Sequence, residues 1–320
     1  LLKTPARKSN VHLDLDSPNF QKYADIAASA QKLVEDLLIE IFQHAHNLTG
    51  ERKFIFTGGV AMNSVALERL SKCAFIDELI VPPSPGDSGA AIGAAYFGYL
   101  KKSKILEKQK KFKLSENLFP GKVNQNEDFF NLKLTKISEP KDAIERVAEL
   151  ISQNEVIATA YGDIETGPRA LGHRSMICNA HSEETIQFLN TVIKSRSKFR
   201  PTAPVILEAY AEKYFHISEK IKSCYTHMGA VTTPLDEVVE SIKGVVHVDG
   251  TCRIQICDES QLLGKILKEL SKKDIFVIAN TSFNISSDPM VYSKEDALLS
   301  IERMQIKYLL TEYGLYERNS

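Results

Sequence analysis

Between residues 26 and 41 the apolar positions recur every three or four places, and Ile26, Ala30, Leu33, Leu37 and Ile41 fall on one helical face. Ser17-Pro18 supplies an N-cap and a first-position proline before that helix, and Gly50 a stop after it. Short apolar runs then alternate with helical periods: a strand at 54–57, a helix at 61–71, a strand at 79–81 and a helix at 88–101. That alternation predicts a sheet covered by helices.

From about 101 to 116 the chain turns lysine-rich and aperiodic, which predicts a linker. Beyond it the pattern predicts a helix at 139–153, with Ile144, Val147 and Ile151 inward, and a strand at 156–161. A strand at 176–178, a helix at 182–193 and strands at 203–207, 245–248 and 254–256 follow. A helix at 259–270, a strand at 275–279, a helix at 294–304 and a strand at 308–311 complete the pattern. Several strands succeed one another without a helix between them, so this part reads as an α/β domain with mixed strand order.

Composition narrows the choice of function more than of fold. The 320 residues, 43% hydrophobic and 25% charged, suffice for two domains with cores of their own. Forty basic residues against 41 acidic ones give a net charge of −1. That balance lacks the basic footprint of a duplex- or tRNA-binding protein, so a cationic site must be local and no nucleic-acid partner is expected. The five cysteines, at 73, 178, 224, 252 and 257, form no CxxC pair. Their odd number argues against a disulfide framework or a structural zinc site and for buried thiols. No apolar run approaches 18 residues and no leader pattern opens the chain, so the expectation is a cytoplasmic protein with no membrane partner.

The strongest chemical signal is Gly162-Asp-Ile-Glu-Thr-Gly-Pro-Arg-Ala-Leu-Gly-His-Arg-Ser175, followed by Lys194, Arg196 and Arg200. Arg169, Arg174, Lys194, Arg196 and Arg200 supply four guanidinium groups and an ammonium, several of them close to Gly or Pro. Arginine forks take phosphate oxygens two at a time, and glycines let backbone amides approach them, so the segment reads as an anion site rather than as solvated surface.

Other features carry two readings each. Gly58 and Gly59, between a strand and a helix, suit a phosphate or simply a tight packing turn. Asp87, where the next helix starts, reads as an N-cap ahead of a metal ligand. His247, near Asp249, is an oriented acid or base, or a core histidine capped by its neighbour.

In order along the chain, these pieces resemble the carbamoyltransferases of the NodU/CmcH type. The likeness rests on Ala24-Asp-Ile-Ala-Ala-Ser-Ala30, Gly58-Gly-Val-Ala-Met-Asn63, Gly86-Asp-Ser-Gly89, Gly167-Pro-Arg-Ala-Leu-Gly-His-Arg-Ser175, Phe199-Arg-Pro-Thr-Ala-Pro204, His247-Val-Asp-Gly-Thr-Cys-Arg253 and Asn280-Thr-Ser-Phe-Asn284. The resemblance implies an α/β fold in two parts. Residues 1–105 would form the second lobe of an actin-like ATPase (RNase-H-like) transfer domain. Residues 106–320 would form a YrdC-like twisted mixed-sheet domain that takes carbamoyl phosphate and ATP to carbamoyl adenylate. The carbamoyl group would then pass to a hydroxyl of a small-molecule acceptor.

By the same resemblance His247, Arg253 and Asn284 are the catalytic candidates. Arg169, Arg174, Lys194, Arg196, Arg200, Asn280, Gly58 and Gly59 would bind substrate or ATP. Asp87 would be what remains of the site for a divalent metal, iron or magnesium, and His44 and His46, two apart on a helix, do not replace the rest. The family's first lobe, with its His-x-x-x-His ligands, has no counterpart here. The chain therefore reads as the C-terminal part of a longer carbamoyltransferase or a truncated homologue, with self-association through the uncovered lobe.

The departures from the pattern are local. Asp163 and Thr166 stand where the family usually has Arg and Phe, Asn179-Ala-His181 replaces Asp-Pro-Arg, and Ser286-Ser287 replaces Arg-Gly. The alternative function is a nucleotide- or phosphate-binding module without turnover. Zinc-finger cysteines or a basic RNA face would have pointed to hydrogenase or tRNA maturation, and neither is present.

Overall fold

The computed structural model describes residues 18–103, 118–119, 121, 134–194, 202–285 and 288–319. The expected linker lies outside the described residues from 104 onward, as do Arg196, Arg200, Ser286 and Ser287.

The long first helix, α1 (Phe20–Thr49), begins after Asn19 and ends on Gly50 in the left-handed conformation, φ 74°. The amide of Gly50 closes the last turn onto the His46 carbonyl. Its buried residues are not those the periodicity selected. Leu33, Leu37 and Ile41 are 59, 47 and 61% exposed, whereas Leu38 and Phe42 are buried. Phe42 decides the facing, because its ring meets Phe54 and Phe56 edge-on at 5.2 and 5.3 Å. Two aromatic contacts outweigh a row of aliphatic positions that finds no partner among the described residues.

Strands β1 (Lys53–Ile55) and β2 (Glu78–Ile80) pair in parallel with Phe54 opposite Leu79. Helix α2 (Ser64–Ser71) connects them, capped by the Asn63 side chain on the Ala66 amide. Helix α3 (Asp87–Ser103) follows and buries none of its residues. Arg69 on α2 reaches Glu35 at 3.0 Å and Asp36 at 2.6 Å on α1, which fixes the two helices against each other.

The second region is built on an eight-stranded sheet in the order β3-β10-β9-β4-β5-β8-β6-β7. The strands are Leu134–Ser138, Ile157–Thr159, Ser175–Asn179, Ala203–Leu207, Gln255–Cys257, Val277–Ser282, Tyr308–Thr311 and Gly314–Arg318, for β3 to β10 in chain order. Neighbours are antiparallel except β4 with β9 and β6 with β7. The sheet is therefore mixed, as expected, and mostly antiparallel.

Every residue of β4, β5, β6, β7 and β9 is buried, the mark of strands covered on both faces. One face carries Ile157, Ile177, Val205 and Ile278 and packs on α4 (Pro140–Ser152) and α6 (Leu262–Ser271). The other carries Ala158, Met176, Cys178, Ile206 and Ala279, in one cluster with α7 (Lys294–Met304) and with Leu38, Leu67, Leu70 and Leu79 of the first region. The core is thus continuous from one region to the other. Polar ties reinforce it: the Lys220 ammonium donates to the Cys73 carbonyl at 2.9 Å, and the Val231 amide to the Ser64 carbonyl at 3.4 Å.

Several elements differ from the sequence pattern. Residues 245–248 are not a strand; Glu240–Val245 forms a 3-10 segment and Val248 is 87% exposed. Gly244 explains the loss, since a Cβ there would lie 2.6 Å from Ile186 Cδ1, so the segment hugs helix α5 (Glu183–Phe188) instead of joining the sheet. The helix expected at 182–193 keeps α-helical form only to Phe188 and finishes in a π-helical turn, Leu189–Ile193. Strand β10 had no counterpart in the pattern, and it closes a hairpin on β9. All five cysteines are free, and all but Cys73 are buried. Among the described residues no helix is long and apolar enough to cross a membrane.

Candidate functional site

The loop between β4 and β5, residues 160–174, is held by a carboxylate absent from the sequence-derived candidates. Glu165 Oε1 accepts from the amides of Leu171, His173 and Arg174 at 3.0, 2.7 and 2.8 Å. Three amides converging on one buried oxygen curl the loop into a fixed shape. Thr159 Oγ1 donates to the Gly172 carbonyl and Ser175 Oγ accepts from the Gly172 amide, tying the loop to both strands. Gly172 has φ 120° and sits on Leu263, whose Cγ would be 2.6 Å from a Cβ. The signal for Glu165 lay in the motif itself, as one of its two carboxylates, with Asp163, among glycines and cations.

The structure separates the expected anion-binding cations by role. Arg174 is fully buried and donates to the carbonyls of Tyr161, Gly162 and His173 at 2.9 to 3.1 Å, so its fork braces the loop from within. Lys194, also buried, follows the π-turn. Its ammonium reaches the Ser282 carbonyl at 2.8 Å and the carbonyl and Oδ1 of Asn284 at 2.6 and 2.8 Å. It fixes the segment leaving β8. Arg169 stands apart: half-buried, it makes no hydrogen bond or ion pair with any described residue, and burial pushes its pKa below the ordinary value.

Asn280 and Asn284 lie at the same end of β8. Asn280 Nδ2 donates to the Ala170 carbonyl at 3.0 Å and to Gln255 Oε1 at 3.1 Å, and Gln255 Nε2 donates to the Leu171 carbonyl at 3.0 Å. Asn280 Oδ1 stays buried with no partner. Asn284 Nδ2 donates to the Asp288 carbonyl at 2.6 Å. β6, which begins just after the Arg196–Arg200 stretch, pairs Ala203 with Asn280. The fold thus gathers Arg174, Asn280 and Gln255 around the 160–174 loop and joins Lys194 to Asn284 beside it.

His247 does not use Asp249. Asp249 Oδ1 takes the amide and hydroxyl of Thr251 at 3.0 and 2.8 Å, and His247 Nδ1 lies 3.3 Å from Thr251 Oγ1. Burial depresses the His247 pKa, with Asp249 opposing and Arg253 adding to the shift, so the ring is neutral near pH 7 and Arg253 is close enough to act on it. His173 is likewise held neutral by burial, its ring stacked on Phe119 at 3.8 Å.

The first-region candidates also change. The Gly58 amide is not bare, because it donates to the Pro85 carbonyl at 2.7 Å, and Gly59 opens only a single 3-10 turn, Gly59–Met62. Asp87 is exposed in the first turn of α3, where it favours the helix dipole. Among the described residues no group of three or more His, Cys, Asp or Glu side chains assembles there or elsewhere. One exposed carboxylate does not fit a divalent metal, and no step is assigned to one. His46 is engaged with the Glu51 carbonyl at 2.7 Å.

Where the two regions meet, Arg169 lines a cavity of about 20 Å³ with Ala61, Met62, Val81, the prolines at 82, 83 and 85, and His227. His227 had no signal in the sequence, since nothing local distinguishes it.

The braced loop, rich in cations and amides, stands at one end of the mixed sheet. Comparison with known proteins gives the family: the chain belongs to the carbamoyltransferases, a family of transferases, matching the Carbamoyltransferase C-terminus model over residues 148–318 and the N-terminus model over 6–96. Among curated relatives it is 29% identical over 287 residues to nodulation protein NolNO of Sinorhizobium fredii, covering 88% of this chain and 42% of that one. It is 31% identical to nodulation protein U of Rhizobium tropici, covering 82% and 44%. An uncharacterized protein of Methanocaldococcus jannaschii is 30% identical, covering 96% and 59%. The chain spans about half the length of the curated relatives it matches. Among solved structures, HypF of T. kodakarensis overlaps 56% of this chain and 22% of its own at 16% identity, TM-score 0.43. Sua5 of P. abyssi overlaps 53% and 46% at 17% identity, TM-score 0.38.

Proposed function

We propose that residues 106–320 carry the activation half-reaction of an O-carbamoyltransferase, using carbamoyl phosphate and ATP to make carbamoyl adenylate for a hydroxylated small molecule. The observation behind this reading is the fixed frame of Glu165, Arg174, Lys194, Asn280 and Asn284 within the family-matched segment. A frame whose own bonds are already made needs no reorganisation when charge develops on a bound phosphate.

In this reading water cleaves carbamoyl phosphate to carbamate and inorganic phosphate, a carbamate oxygen attacks the α-phosphorus of ATP to form carbamoyl adenylate, and pyrophosphate leaves. Arg196 and Arg200 supply positive charge to the phosphate oxygens. Asn280 Oδ1 accepts an N–H of the carbamoyl group, which gives that buried acceptor a partner. His247, neutral near pH 7 and close to Arg253, is the candidate to receive a proton. The first region, with Gly58, Gly59 and Asp87, contributes to transfer only as part of a complete transfer domain.

The test is pyrophosphate release from the purified chain supplied with ATP and carbamoyl phosphate. Release that requires both substrates supports the reading. Binding of ATP with no pyrophosphate under any condition supports the non-catalytic module, a reading favoured by the loss of cations at Asp163 and His181 relative to the family pattern.

A further inference from the structure

Two buried carboxamides, on β7 and β8, form a unit of which the proposed activation chemistry uses a single atom. Gln255 is 2% exposed and Asn280 1%, and β6 lies between them, pairing Val205 with Gln255 and Ala203 with Asn280. Their hydrogen bonds run in one chain. Gln255 Nε2 donates to the Leu171 carbonyl at 3.0 Å, and Asn280 Nδ2 donates both to the Ala170 carbonyl at 3.0 Å and to Gln255 Oε1 at 3.1 Å.

Chemistry admits one orientation of these two amides. A backbone carbonyl only accepts, so each loop carbonyl must face an NH2 group, and turning either amide over would set oxygen against oxygen. With Nε2 committed to Leu171, Gln255 Oε1 faces Asn280. With both Nδ2 hydrogens committed, Asn280 Oδ1 faces away from the chain of bonds, buried and without a partner. Leu171 cannot give way, because its own amide is held by Glu165 Oε1 at 3.0 Å. The polarity of Asn280 is thus set from outside the residue.

A buried lone acceptor selects what lies against it. It takes an N–H or O–H, repels a phosphate or carboxylate oxygen, and is left unsatisfied by a methyl group. Its direction matters as much as its charge. Two bonds from Nδ2 fix the plane of the Asn280 amide, whereas the Ala170 bond alone leaves that plane free to turn, so the aim of Oδ1 depends on Gln255.

We propose that Gln255 is a positioning residue for donor selectivity. Through Asn280 it holds a fixed acceptor against the NH2 group of the donor, so that the site prefers a carbamoyl group to an acyl group of the same shape carrying a methyl there. The inference rests on the activation reading for the presence of a carbamoyl donor, and adds which end of the donor is read and which side chain fixes the reading.

The probes are two stable phosphonates of one shape, phosphonoacetamide and acetonylphosphonate, which carry an NH2 and a methyl at the same position. Each is titrated calorimetrically into the full chain. The unsubstituted chain should bind phosphonoacetamide about tenfold more tightly, or better. Gln255→Met should lower that ratio to about threefold or less while the affinity for acetonylphosphonate stays within about twofold, whereas a merely structural loss would weaken both probes together. Gln255→Asn, too short to reach both partners, should do the same and serves if the methionine variant does not fold. Gln255→Glu, kept protonated by burial, donates to Leu171 and accepts from Asn280 as glutamine does, and should retain the preference. Equal affinity of the unsubstituted chain for the two probes overturns the inference, as does the full ratio surviving in Gln255→Met or Gln255→Asn. Binding of neither probe overturns the carbamoyl phosphate reading with it, whereas equal binding of both leaves that reading standing.

Discussion

The two regions treat apolar side chains differently. Around the eight-stranded sheet both faces are covered and whole strands vanish from solvent, whereas the first region leaves large side chains in water. Ile26, Leu33, Leu37, Ile41 and Leu48 of α1, Ile55 and Ile80 of the small sheet, and Ile92, Phe97 and Tyr99 of α3 are all exposed. A two-stranded sheet and three helices can close a core on one side only, through Phe42, Leu67, Leu70 and Leu79. The first region is thereby stabilised through the second, by their shared cluster. Architecture, not local hydrophobicity, decides which periodic face becomes core.

The sharpest way to break the comparison is to cut into each region's apolar rows. Ile177→Ala, in the middle of β5 with no exposed surface, should cost about 2 to 5 kcal/mol in denaturant unfolding. Because the core is continuous, one transition should report the loss in both regions. Two separated transitions would mean that the regions are stabilised independently.

Acid should act next most strongly, and at the junction. Burial lowers the His227 pKa from 6.5 to about 4. In the unfolded chain the ring binds a proton as pH falls below 6.5, while the folded ring stays neutral until about 4. Stability contributed by the neutral buried ring is thus full above 6.5 and lost between 6.5 and 4, to a total of roughly 3 kcal/mol. His173, His181 and His247 are shifted in the same direction, also chiefly by burial. Thermal melts from pH 7.5 to 4 should show the loss, and His227→Phe should flatten the curve. An unchanged slope in that variant would show that the ring is not neutral and buried in solution.

Lys194→Met probes the second region's polar frame. It strips the donor from two carbonyls and from Asn284 Oδ1, with an expected cost of about 1 to 3 kcal/mol. Hydrogen exchange should rise locally at residues 282–285. Full protection there would mean that Lys194 does not hold the segment.

The smallest effect should come from Leu37→Ser on α1. At an exposed site the change should stay within about 0.5 kcal/mol. A loss above about 1 kcal/mol, or a sedimentation coefficient that falls on substitution, would reveal that the exposed row is covered by another copy of the chain.

What the sequence determined by itself was local or ordered along the chain. The run Lys294–Met304 and the strands Ala203–Leu207 and Tyr308–Thr311 lie where the pattern put them, because capping, periodicity and β-branched runs act over a few residues. The ordered motifs from Gly58 to Asn284 sufficed to name the family, and the mixed strand order followed from strands without intervening helices.

Tertiary structure alone decided the rest. The hydrophobic row on α1 says that a face is apolar, not what it meets, and Phe42 settled that through β1. The cations of the motif looked alike in sequence, yet burial turned Arg174 inward onto carbonyls, bound Lys194 to β8 and left Arg169 open at the junction. His227 carries no local mark because much of its environment comes from chain segments far away in sequence, the proline turn at 82–85 and Arg169 among them. A side chain's chemistry is written in its residue type, but its protonation, partners and access depend on neighbours that only the packed chain brings together.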